Sequence, residues 1–196
     1  MNVAVYSGSF DPVHIGHQAL ARYVVSNVAG IDRLLLLVTP HNPLKPLATS
    51  APFADRLAMC QLALSNIPEA EASDFEDKLP APHFTYHTLC ALRRTFPHDR
   101  FTLLIGSDNW LIFSKWRDHD KILSEFELLI YPRPGYEIDP ATLPPGVRFL
   151  ADAPTTDLAS TALRERLQEG LLVNNLLPEG VDSYISKHNL YGRQQD

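Results

Sequence analysis

Cysteine is scarce in this chain: Cys60 and Cys90 are the only two among 196 residues. Both sit inside apolar helical patterns, "LAMCQLAL" and "HTLCALRR", and read as buried free thiols. Such a pair offers neither a disulfide framework nor the paired-cysteine spacing of a zinc site. Long hydrophobic runs are missing as well. The longest candidate, "LLLLV" at 34–38, is strand-sized and far below membrane-spanning length. The amino terminus has no signal-peptide layout, so a reducing, cytoplasmic compartment and no membrane partner are the expectation. Positive charge is not in excess: 17 Lys and Arg stand against 23 Asp and Glu, a net of −6. That balance argues against nucleic acid as a partner, although a local cluster can still hold an anionic small molecule. The glycine fingerprint G-x-G-x-x-G and the P-loop G-x-x-x-x-G-K-[ST] are both absent, so dinucleotide oxidoreductase and P-loop readings lose support. Internal repeats and low-complexity segments are absent too, and one domain over residues 1–196 is expected.

What is present is an alternation of strands and helices. Val3–Tyr6 reads as a buried strand. Gly16–Ala29 reads as a helix, with Leu20, Tyr23, Val24 and Val28 on one face. Leu34–Val38 follows as a second continuous apolar strand, which implies a right-handed parallel crossover. The proline-rich stretch 40–52 is a loop. Helices are expected at Phe53–Leu64 and Thr85–Arg94, and a short strand near 70–75. Stronger strands are expected at Phe101–Ile105 and Phe126–Tyr131, a short one at Val147–Leu150, and C-terminal helices at Ser160–Gln168 and Val181–Lys187. Prolines 132, 134, 140, 144 and 145 mark 132–145 as a surface excursion. Strands apolar on both faces, alternating with helices, predict an α/β fold: a single doubly wound open sheet, mostly parallel and Rossmann-like.

In such a sheet, ligands bind beyond the carboxyl ends of the strands at a switch point. "SGSFDPVHIGH" (7–17) lies there, after the first strand. Gly8 permits close backbone approach, and Asp11-Pro12 makes a turn. His14 and His17 flank the start of a helix, where unsatisfied N–H groups and the helix dipole favour anions. Two imidazoles at that end suit a polyphosphate that gains charge in a transition state. On its own, H-x-x-H is equally a packed turn. Zinc is weak because a third ligand at convincing spacing is absent.

The longer stretch "GSFDPVHIGH" resembles the signature of the HxGH nucleotidyltransferases. Class I aminoacyl-tRNA synthetases share the HIGH tetrapeptide but need a longer chain and a KMSKS-like segment. The second signature of the superfamily, S-T-x-x-R, is matched by "STALR", with Ser160, Thr161 and Arg164. "TPHNPLK" (39–45), "FTYHTL" (84–89), "IGSDNW" (105–110), the Phe113–Trp116 region and "LPEGVDSYISKHNLY" (177–191) resemble the bacterial-type nicotinate-nucleotide adenylyltransferases over nearly the whole length. Two positions depart: Ser7 stands for a glycine and His87 for an acidic residue, so no role is assigned to His87.

The resemblance implies adenylyl transfer from ATP to nicotinate mononucleotide, with Mg²⁺ carried mainly by phosphates and water and no protein metal site. By similarity, His14, His17, Lys45 and Arg164 are the catalytic set. ATP would meet the backbone of Gly8, Ser9 and Phe10, both histidines, Asp108 at the ribose, and the Ser160–Thr161–Arg164 clamp on the C-terminal helices (about 158–190). Ser9, Lys45, Thr85 and Trp116 would take the pyridine mononucleotide. Arg56, Arg93 and Arg94 read as solvated helix charges, and Trp110 as packing. Nicotinamide mononucleotide or another phosphomonoester as acceptor, a non-catalytic nucleotide sensor, and a homo-oligomer all stay open.

Overall fold

The computed structural model describes residues 1–40, 50–173 and 175–192. Its centre is a parallel sheet built from β1 (Asn2–Gly8), β2 (Arg33–Val38), β3 (Ala70–Ser73), β4 (Arg100–Gly106), β5 (Glu127–Tyr131) and β6 (Val147–Phe149). The strand order is β3-β2-β1-β4-β5-β6. Every pairing is parallel, with Val5 opposite Leu35 on one side and Leu103 on the other. The order reverses between β1 and β4, so their carboxyl ends frame the crevice of a doubly wound sheet.

The helices are α1 (Ile15–Asn27), α2 (Phe53–Leu64), α3 (Thr85–Thr95), α4 (Ser107–Leu111), α5 (His119–Glu125), α6 (Ser160–Gln168) and α7 (Val181–Lys187). Two apolar layers result from strands that are buried on both faces. Ala4, Leu34, Leu36 and Leu129 meet α1, α2, α6 and α7 on one side. Val5, Leu35, Leu103 and Leu128 meet α3 and α5 on the other. Leu163, Leu167, Val181, Ile185 and Tyr191 belong to the first layer, so the C-terminal helices share the apolar cluster of β1 and β2.

Most predicted elements stand where periodicity put them, α2 with the same bounds. Two short helices, α4 and α5, were not legible. Each has fewer than two turns of pattern, too little for a 3.6-residue period to register. Of the two thiols, Cys60 is buried and Cys90 is only half-buried. Arg56 overturns its reading as a solvated charge: it is 4% exposed. No described helix is long and apolar enough to cross a membrane.

Candidate active site

The turn after β1 is built by tight local packing. Phe10 adopts a positive φ of 47°, rare for a residue with a side chain. Its ring folds back over Gly8, where a Cβ would lie 3.0 Å from ring carbon Cζ. The Phe10 side chain is buried and packs edge-on to Tyr6 and His17. Only its backbone therefore faces any ligand.

His14 is the N-cap of α1, in extended geometry. Its backbone N–H donates to His17 Nδ1 at 3.2 Å. That bond makes Nδ1 of His17 an acceptor and assigns the proton of the neutral ring to Nε2. The two imidazoles stack with centroids 3.6 Å apart. His14 is 2% exposed and, among the described residues, its Nδ1 has no hydrogen-bond partner. Burial, assisted by the Arg133 charge, lowers its pKa to about 4. At neutral pH His14 is therefore a neutral imidazole, a hydrogen-bonding group rather than a cation. Between the histidines, Gly16 is required sterically. A Cβ there would meet Thr156 Cγ2 at 2.3 Å and the His14 ring at 3.1 Å.

The second signature docks onto this turn. Ser160 Oγ donates to the Pro12 carbonyl at 3.0 Å. Arg164 Nη1 donates to the Asp11 carbonyl at 2.6 Å, and Nη2 donates to Thr161 Oγ1 at 3.2 Å. The Arg164 side chain is 13% exposed, so it is more than an ordinary surface helix charge. Ser160 and Thr161 do not cap α6; Ala159 is the N-cap and contributes no side-chain bond. Among the described residues, the N-cap side chain thus offers the amides at that helix start no acceptor.

Across the crevice, Asp108 sits in the first turn of α4, after β4, whose N-cap is Gly106. Arg133 lies 3.9 Å from its carboxylate, and the Arg133 backbone N–H donates to Ser107 Oγ. A small cleft is lined by Tyr6, His14, His17, Tyr131, Arg133 and Thr156. Arg133 was missed by sequence reasoning because it sits among prolines. Its usable signal was position, immediately past the carboxyl end of a strand that neighbours the switch point. Asp11 and Tyr191 were read only as turn and landmark; both are buried and joined by a 2.7 Å bond from the tyrosine hydroxyl to Asp11 Oδ1.

Thr85 opens α3, and Trp116 ends a short 3₁₀ turn, packed against Phe113. Their segments touch: the Arg117 guanidinium lies 5.0 Å from the Phe84 ring centre, and His87 lies 3.9 Å from Asp118. Trp110 stacks on Phe113 as packing. Arg93 pairs with Glu125 at 2.7 Å on the surface. Lys45 lies outside the described residues. A wider cavity lined by Asn2, Arg100, Thr102 and Arg148 opens at the amino ends of the strands, the end opposite to ligand binding in such sheets. Among the described residues, no group of three or more His, Cys, Asp or Glu side chains could hold a metal ion.

Comparison with known proteins decides what this arrangement belongs to. Residues 5–166 match the family described as cytidylyltransferase-like. A probable nicotinate-nucleotide adenylyltransferase of Bacteroides fragilis is 42% identical, over 95% of this chain and 96% of its own length. This chain belongs to the nicotinate-nucleotide adenylyltransferase family. A Thermus thermophilus member is 35% identical over 97% of this chain and all of its own. The fold also matches a solved nicotinic acid mononucleotide adenylyltransferase of Plasmodium falciparum complexed with NaAD. That match has a TM-score of 0.82 and 21% identity, covering 100% of this chain and 99% of the other.

Proposed function

We propose that this chain transfers the adenylyl group of ATP to the phosphate of nicotinate mononucleotide, giving nicotinate adenine dinucleotide and pyrophosphate in NAD biosynthesis. The family supports the reaction. The observation that carries the mechanism is the stacked His14–His17 pair at the start of α1, with Arg164 tied to the same turn.

An oxygen of the mononucleotide phosphate attacks the α-phosphorus. The bond from that phosphorus to the bridging oxygen breaks, and pyrophosphate leaves with the electron pair. The nucleophile is already ionised near neutral pH, so no general base is needed. The protein's task is to align the two phosphates and spread the developing charge. His17 donates from Nε2 to the α-phosphoryl oxygens, and neutral His14 donates beside it. Arg164, Ser160, Thr161 and the open amides of α6 receive the β- and γ-phosphates. Gly8, Ser9 and Phe10 present backbone to the nucleotide, and Asp108 meets the ribose. The landmark "TPHNPLK" assigns Lys45 to the acceptor phosphate. Thr85 and Trp116 shape the pyridine pocket, where an aromatic face suits an electron-poor ring. Bound with ATP, Mg²⁺ would neutralise triphosphate charge, with phosphate oxygens and water rather than a protein cage as its ligands. The chain works as one domain, in the cytoplasm, where Cys60 and Cys90 stay reduced.

The test is pyrophosphate release from MgATP with nicotinate mononucleotide, nicotinamide mononucleotide and phosphopantetheine in parallel. The acid is expected to turn over fastest. A preference for the amide would reassign the acceptor, and no turnover with any acceptor would leave a nucleotide sensor. His17→Ala is expected to lower kcat by roughly tenfold to a hundredfold while the far-ultraviolet circular dichroism stays native. Full activity of that variant would remove His17 from catalysis.

A further inference from the structure

Two buried opposite charges beside the candidate site have no part in the chemistry above. Arg56, on α2, directs its guanidinium at four backbone carbonyls. Nε donates to Ala51 at 3.1 Å. Nη1 donates to Ser9 at 2.7 Å and to Thr39 at 2.9 Å, and Nη2 to Pro40 at 2.8 Å. Asp11, 2% exposed, accepts from the Ala51 N–H at 3.0 Å and the Tyr191 hydroxyl at 2.7 Å through Oδ1. Its Oδ2 accepts from Ser50 Oγ at 2.7 Å and lies 3.8 Å from Arg164 Nη1. Ala51 is thus gripped at both peptide groups, its N–H by Asp11 and its carbonyl by Arg56. Thr39, at the other flank, is bound by Arg56 and also donates its N–H to the Gly8 carbonyl at 2.9 Å.

Burial makes each charge costly unless hydrogen bonds compensate it, and here each is compensated by backbone and side-chain partners. What the pair achieves is geometric. Carbonyls from three chain segments (Ser9, Thr39–Pro40 and Ala51) converge on one planar donor, a fork that lysine cannot reproduce. The carboxylate ties the His14–His17 turn to Ser50–Ala51, to the C-terminal Tyr191 and to Arg164. We infer that Asp11 and Arg56 are positioning residues that fix the flanks Thr39–Pro40 and Ser50–Ala51 against the turn carrying His14 and His17, and so set the separation between the two substrates' phosphates. The inference rests on the adenylyl-transfer reading.

The test uses the full-length enzyme with Arg56→Lys, Asp11→Asn and Ser50→Ala. The last removes one donor from Asp11 and leaves the apolar core intact. Three quantities are read: melting temperature, hydrogen exchange of peptides covering 38–52 without ligands, and kcat/KM with MgATP and nicotinate mononucleotide. Arg56→Lys is expected to speed exchange in 38–52 while peptides from β4 stay protected. It is also expected to lower kcat/KM by at least about tenfold, since small misplacements of reacting groups cost up to ~100-fold. Ser50→Ala is expected to move both readouts in the same direction by less, with its melting temperature near that of wild type. The inference is overturned by folded variants with wild-type exchange at 38–52 or wild-type kcat/KM. It is equally overturned by an activity loss that only tracks the folded fraction. A wild-type enzyme without turnover would instead overturn the reaction assigned above, and the exchange measurement would still decide whether the two charges hold these flanks.

Discussion

Burying a neutral histidine ties the stability of this protein to pH in a way that a single substitution can isolate. His14 has its pKa lowered to about 4 from an ordinary value of 6.5, chiefly by burial and then by Arg133. The unfolded chain therefore binds a proton between pH 6.5 and 4 that the folded chain refuses. Stability rises with pH wherever the unfolded state binds more protons, so it falls on acidification through this window and levels off below about pH 4. The full swing is about 3 kcal/mol, and the share between pH 7 and pH 5 is about 2 kcal/mol. His14→Asn keeps a polar N-cap and removes the titration. Urea unfolding at pH 7 and pH 5 is the assay. Wild type is expected to lose about 2 kcal/mol more than the variant on that step. Glu76 does not confound the comparison. Its pKa is raised by burial, so it destabilises as pH rises and does so in both proteins. Equal losses in the two proteins would mean that His14 is solvated or paired when folded, and the argument for a neutral imidazole in the site would fall.

Other outcomes follow from single contacts. Gly16→Ala places a methyl 2.3 Å from Thr156 Cγ2 and is expected to cost about 1–3 kcal/mol of stability, with kcat/KM falling as His14 shifts. Adding Thr156→Ser, which deletes the struck methyl, should restore part of both, read by thermal melts and turnover. Tyr191→Phe leaves Asp11 short of its 2.7 Å donor and is expected to lower stability by about 1–3 kcal/mol in urea unfolding. Trp116→Ala is expected to raise KM for the pyridine mononucleotide by about fivefold or more, the scale of one lost aromatic contact. KM for ATP should stay within about twofold, and a change in the ATP term alone would move Trp116 out of the pyridine pocket.

The candidate site was legible where short-range order carries it. Strand, turn and helix around "SGSFDPVHIGH" follow from an apolar run, a glycine and proline turn, and a helical period that begins at once. That β1 borders the switch point comes from the strand order β3-β2-β1-β4-β5-β6 in the folded sheet. "STALR" was found as a motif, but its use of Ser160 on the Pro12 carbonyl and Arg164 on the Asp11 carbonyl spans about 150 residues, which no local pattern displays. Arg56 shows the same limit from the other side. Arg56 shares the helical stripe of Met59, Cys60 and Ala63, which are buried, but its charge alone pointed to solvent. Only convergence of Ser9, Thr39, Pro40 and Ala51 on its guanidinium makes burial favourable.

Sequence alone therefore determined the order of the strands and longer helices, the doubly wound class and the two signature motifs, because these depend on periodicity and on residues close in the chain. Tertiary structure alone decided that His14 is neutral, that Arg133 stands beside it, and that Asp11 and Arg56 are buried. Those properties depend on the dielectric and on partners brought from distant segments, and a carboxylate or guanidinium has no fixed character until its surroundings are set.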